Sequence, residues 1–169
     1  EWVNDLRSRL RVNPDATVAV CILDTGANNG HALLQLVLAD DDCHAVEPGW
    51  GVNDHQGHGT LMSGVAAFGD LTDALQHSNP LRVDHCLESA KILPPRGANA
   101  PDLYGDVTIQ GMLRASIQAP HRNRIGCMAV TSEDGRDQGR PSSWSAAIDK
   151  LTSGYDDDTR CFFIVSAGN

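Results

Sequence analysis

The stretch VAVCILDTGANNG (18–30) runs from unbroken apolar residues into an acid, a threonine and a glycine. Residues 16–24 have the length and near-continuous hydrophobicity of a strand covered on both faces, the pattern of a parallel sheet. In open α/β sheets functional groups gather at the carboxyl ends of strands, so Asp24 stands where a strand holds a carboxylate rigidly. The competing reading of Asp24-Thr25-Gly26 is an ordinary turn, in which Asp and Gly are common.

Working outward, further apolar runs alternate with helical patterns. Residues 90–93 read as a strand stopped by Pro94 and Pro95, and 124–132 and 160–169 contain two more. A short helix is expected within 31–40. Residues 59–70 mix apolar and small side chains on every side, as a buried helix does. Residues 106–120 carry Val107, Ile109, Met112, Leu113 and Ile117 at helical spacing, with Asp106 as N-cap and Pro120 as terminator. Residues 141–154 begin with Pro141 and end with Gly154, the expected helix punctuation. The polar stretches 96–106 and 132–141 read as surface loops. Alternation of this kind predicts a doubly wound α/β fold, with a mostly parallel sheet, helices on both faces and right-handed crossovers. One domain over 1–169 is expected, with 1–15 as a lead-in helix, since there is no repeat and no low-complexity linker.

Composition narrows the partners. The 169 residues carry a net charge of -9, and the basic side chains are dispersed, which argues against nucleic acid. No apolar run approaches the ~20 residues of a membrane span, so no membrane partner is expected. No signal peptide is read, although the first residue is Glu1 and this speaks only for these 169 residues. Cys21, Cys43, Cys86, Cys127 and Cys161 are odd in number and form no C-x-x-C pair. Five reduced thiols suit a cytoplasmic location, with secretion as the alternative.

Two further motifs bear on chemistry. In NDHQGHGTLMSGVAAF (53–68), glycines flank His58 and leave its imidazole accessible at the start of a helix. Gly64 within that helix implies a packing reason, because glycine there costs about 1 kcal/mol relative to alanine. The bland reading of His58 is a capping or surface histidine. A His55–His58 metal site lacks a third ligand at useful spacing. In FFIVSAGN (162–169), a strand enters Ser166-Ala167-Gly168-Asn169, where the neutral amide of Asn169 suits the stabilisation of a developing oxyanion.

D-T-G, then H-G-T opening a small-residue helix, then S-A-G-N after an apolar strand, resemble in order and setting the subtilisin-like serine proteases, the subtilases. The resemblance covers 16–169 and implies the N-terminal part of a catalytic domain, truncated at its C-terminal side. It implies that Asp24 orients His58, that His58 is general base and then general acid, and that Asn169 donates to the oxyanion. It further implies that Ala129, Val130 and Thr131 border an extended polypeptide substrate through backbone hydrogen bonds. The family's Ser-Leu-Gly is absent there. No cofactor is expected; calcium is possible by resemblance, but no site is identified.

The family's Gly-Thr-Ser-x-Ala nucleophile motif does not occur in the sequence, and Ser63, Ser132, Ser142, Ser143, Ser145, Ser153 and Ser166 all lack that context. The expectation is a serine endopeptidase whose nucleophile lies beyond this chain, with the chain alone inactive and able to self-associate through exposed apolar surface. Two alternatives stay open. One is a non-catalytic binding or regulatory module on the same scaffold. The other is an aspartic protease of retroviral type, which CILDTGAN resembles locally, but which needs a second carboxylate and an all-β fold.

Overall fold

The computed structural model describes residues 2–132 and 139–167. Strand β2 (Val18–Asp24) forms the centre of a five-stranded sheet. Around it lie β3 (Cys43–Ala45), β5 (Cys86–Lys91), β6 (Asn123–Met128) and β7 (Phe162–Val165) in the order β3-β5-β2-β6-β7. All four pairings are parallel. A second, two-stranded sheet pairs β1 (Leu10–Val12) with β4 (Leu81–Val83), matching one Leu-Arg-Val triplet to another. The fold is therefore the α/β architecture expected from the sequence.

Helices cover both faces. On one face α2 (His58–Phe68) packs on β2 and β5. Ala67, Leu87 and Leu38 join a core cluster there, with Val20 against it. On the other face α4 (Tyr104–Gln118) lies on the sheet and α5 (Ser143–Ser153) lies on α4. Cys21, Leu23, Ala90 and Met112 form the second cluster. The period-2 alternation of β2 thus feeds both cores, which is why its sequence is apolar throughout. The small helices α1 (Trp2–Arg9) and α3 (Thr72–Gln76) pack together near the β1–β4 sheet.

Several local expectations are corrected. The strand expected at 90–93 is Cys86–Lys91, because it carries buried Glu88 and Lys91, whose charges hide its hydrophobic pattern. Glu88 is matched by two arginines, and Lys91 donates to the Asn53 carbonyl. The helix expected within 31–40 shrinks to one 3-10 turn, Leu34–Leu36. Leu33, Leu34, Val37 and Leu38 are all drawn into the core, and Ala39 turns to extended backbone. Helix α4 begins at Tyr104 after a 3-10 turn at Pro101–Leu103, so Asp106 lies inside its first turn and accepts from Gln110. The lead-in helix stops at Arg9, where β1 begins. Helix α5 keeps its expected limits, with Ser142 and Ser145 in a reciprocal capping box and Gly154 at φ +69°.

Helix α2 is not buried on every side. Leu61 and Val65 are 71% and 59% exposed, while Gly59, Ser63 and Ala67 face the sheet. Gly64 meets open space, so no close approach requires it. The glycine that packing does require is Gly59: a Cβ there would collide with the Gly26 carbonyl and crowd the Asp24 side chain.

Candidate active site

Asp24 closes β2 and is 1% exposed. Its carboxylate is held by the next residue, with Thr25 N–H donating to Oδ1 at 2.7 Å. The chain then turns at Gly26, whose φ of +99° and contact with the Val52 carbonyl exclude a side chain. That turn leaves Asp24 facing the entrance of α2.

His58 is the first residue of α2, following Gly57 at φ +88°. Its Nδ1 lies 2.9 Å from both Asp24 oxygens, and its side chain is half exposed. A carboxylate only accepts, so Nδ1 carries the proton and the neutral ring keeps a free lone pair on Nε2. Among the described residues Nε2 has no hydrogen-bond partner. The arrangement is a buried acid steering a solvent-reachable base, a pair able to take up and return a proton at Nε2.

Residues that sequence reasoning missed hold the pair in place. The Asp54 carboxylate is 7% exposed and accepts from the Gln56, Gly57 and Thr60 N–H groups at 2.8–3.0 Å. The hydroxyls of Thr60 and Thr25 also donate to it, at 2.7 and 2.8 Å. Burial pushes this carboxyl up, but the bonds from Thr60, Thr25 and Gly57 outweigh burial and hold it at about 2. Asn28 exchanges two bonds with the Asp54 backbone. Lys91, register partner of Asp24, supports the segment from β5 by donating to the Asn53 carbonyl at 2.7 Å. Burial pushes its ammonium down, against the pull of Asp54. The available signal was an acid just upstream of a helix entrance, the D-H-Q-G-H-G-T spacing (54–60).

The remaining expected residues are placed as follows. Ala129 and Val130 are half-buried and Thr131 is exposed, just past the end of β6. Val130 and Thr131 line two hollows, an open groove of about 370 Å³ shared with Val165, Ser166 and Ala167, and a cavity of about 180 Å³ beside Tyr104. Trp144 walls both hollows; its Nε1–H donates to Thr108 at 2.9 Å and its ring tilts against Tyr104. Ala129 lines neither. Asn169 lies outside the described residues. Ser63 is buried and donates to the Gly59 carbonyl, so it is no nucleophile. Cys127 is no competitor either, because burial and then the Asp24 charge push its thiol up.

A further cavity of about 220 Å³ opens between α4, α5 and the start of β6, and neither Asp24 nor His58 lines it. Among the described residues no three His, Cys, Asp or Glu side chains group to hold a metal ion, and no helix is long and apolar enough to cross a membrane.

The structure titled "S41 Psychrophilic Protease" shares this fold, with a TM-score of 0.60 at 22% identity over 94% of the chain. The chain spans about half of that protein, 48% of its length. No curated protein matches the chain. The subtilase family model matches residues 15–169. The acid at the end of β2, the histidine opening α2 and the parallel sheet behind them thus sit in a chain that belongs to the subtilase family of peptidases.

Proposed function

We propose that this chain supplies the aspartate and histidine of a serine-endopeptidase triad that cleaves polypeptides. The observation carrying the reading is the 2.9 Å contact between buried Asp24 and the half-exposed His58 ring, in a chain of peptidase family. In this mechanism Nε2 of His58 removes the proton of a serine hydroxyl as that oxygen attacks the scissile carbonyl. Asp24 stabilises the imidazolium that results, and His58 then returns the proton to the leaving amine. Asn169 donates to the tetrahedral oxyanion, a contact worth roughly 2.7–4 kcal/mol in a subtilisin. An extended substrate adds beside residues 129–131, with side chains entering the hollows lined by Val130 and Thr131.

The nucleophile belongs to a segment outside these 169 residues. Among the described residues no serine hydroxyl bonds to His58, and the chain spans half of its structural neighbour. The purified chain alone is therefore expected to hydrolyse no peptide. The full open reading frame is expected to encode a Gly-Thr-Ser-x-Ala segment, to hydrolyse peptides and to react with a serine-directed fluorophosphonate in a way His58→Ala abolishes. A full-length product without that serine and without labelling overturns the reading and makes the scaffold a binding or regulatory module. The parallel α/β sheet speaks against an aspartic protease. Leu61, Val65, Phe162 and Ile164 are exposed, which supports self-association of the isolated chain. A monodisperse monomer by light scattering overturns that part.

A further inference from the structure

Asp54 takes no part in the chemistry proposed above, yet its donors come from two places that the chemistry needs. Gln56, Gly57 and Thr60 belong to the entrance of α2, on either side of His58. Thr25 follows Asp24 directly. One carboxylate therefore bridges the turn that carries the acid and the helix end that carries the base.

The Thr25 hydroxyl makes this bridge more than a helix cap. Its oxygen accepts from Gly59 N–H at 3.1 Å, so the residues following Asp24 and His58 are themselves bonded. The hydroxyl has one proton and two carboxylates within reach, Asp54 Oδ1 at 2.8 Å and Asp24 Oδ1 at 3.1 Å. The shorter contact, to a carboxylate held in its charged form, takes the proton. Asp24 then keeps only the Thr25 N–H bond from its own turn, and both its oxygens remain 2.9 Å from Nδ1 of His58.

We propose that Asp54 is a positioning residue: through the Thr25 hydroxyl it ties the Asp24 turn to the α2 entrance, which holds the Asp24 carboxylate against His58. The proposal rests on the reading of Asp24 and His58 as a catalytic pair. Asp54 itself makes no hydrogen bond to His58 and, in this scheme, does not touch the substrate. A residue that only capped α2 would need its Gln56, Gly57 and Thr60 bonds and would be indifferent to Thr25.

The test is proton NMR of this chain, reading the downfield Nδ1–H line that a carboxylate-bonded imidazole gives. Thr25→Val keeps the side-chain shape and removes the hydroxyl, and Thr25→Ser restores it. The line is expected in the wild type and in Thr25→Ser. It is expected to vanish or move upfield in Thr25→Val and Asp54→Ala, with far-UV circular dichroism unchanged. If Asp54→Ala does not fold, the Thr25→Val and Thr25→Ser pair decides alone. A folded Thr25→Val with the wild-type line overturns this proposal and leaves the catalytic pair standing. A wild type with no such line overturns both.

Discussion

Two buried acids on neighbouring strands invite comparison. Asp24 on β2 and Glu88 on β5 are 1% and 0% exposed, yet they serve opposite ends. Glu88 sits between Arg122 and Arg124, at 2.8–3.0 Å, on the α4 face of the sheet. Arg122 also grips Asp42 at 2.7 Å, and Arg124 donates to the Ala115 and Ala119 carbonyls at the end of α4. The guanidinium groups never release their protons, so these partners cannot exchange one, and the helix end gains a cation. Asp24 faces the α2 side with an imidazole for its partner, a ring that can give or take a proton and reaches solvent. Burial of an acid thus says little about chemistry; whether its partner can change protonation and meet a substrate says much.

The comparison can be broken most forcefully at His58. In the full-length protein, His58→Ala is expected to lower kcat by about 10,000-fold or more, following triad dissection in related enzymes. Its cost in folding stability should be about 1–3 kcal/mol, since the buried Asp24 carboxylate loses its ring partner. A peptidase assay beside a urea titration checks both halves. Glu88→Ala should behave in the reverse way, because it strands Arg124 without a counter-charge and leaves Arg122 with Asp42 alone. A loss of about 3–5 kcal/mol in urea unfolding is expected.

Asp54 stands between these cases and is read by pH. Its folded carboxyl, at about 2, lies below its unfolded value, so it adds stability that is complete above about pH 4 and lost as pH falls through 2. The contribution is about 2 kcal/mol. Urea midpoints measured downward from pH 4 should fall less steeply for Asp54→Asn than for the wild type. The smallest effect contrasts the two glycines of α2. Gly64→Ala, with open space around it, is expected to raise stability by roughly 0.5–1 kcal/mol. Gly59→Ala should instead destabilise the fold and push α2 away from Asp24. Thermal melts of the two variants test the contrast.

The sequence made legible whatever is repetitive or local. The apolar run of β2, the spacing of α4 and the punctuation of α5 each carry their own signal. The motif order made the Asp24 and His58 pair visible before any geometry. Less was legible where tertiary context overrides pattern. Residues 31–40 have helical composition but are consumed by the core. The pairing of β1 with β4 joins three-residue segments too short to show a period. Glu88 and Lys91 disguise β5, and only their distant partners, Arg124 and Asn53, explain why a buried strand tolerates them. Asp54 escaped notice because its significance lies in Thr25, 29 residues upstream.

The order of the sheet also sets a timetable for synthesis. The central strand finds its neighbours only in Cys86–Lys91 and Asn123–Met128, so nothing emerging earlier from a ribosome can pair with it. At about 5–20 residues per second, the aspartate leaves the tunnel on the order of 5–20 seconds before the last of those partners. Until Cys86–Lys91 emerges, partway through that interval, an aliphatic β-forming segment is bare, and holding chaperones have their strongest reason to bind it.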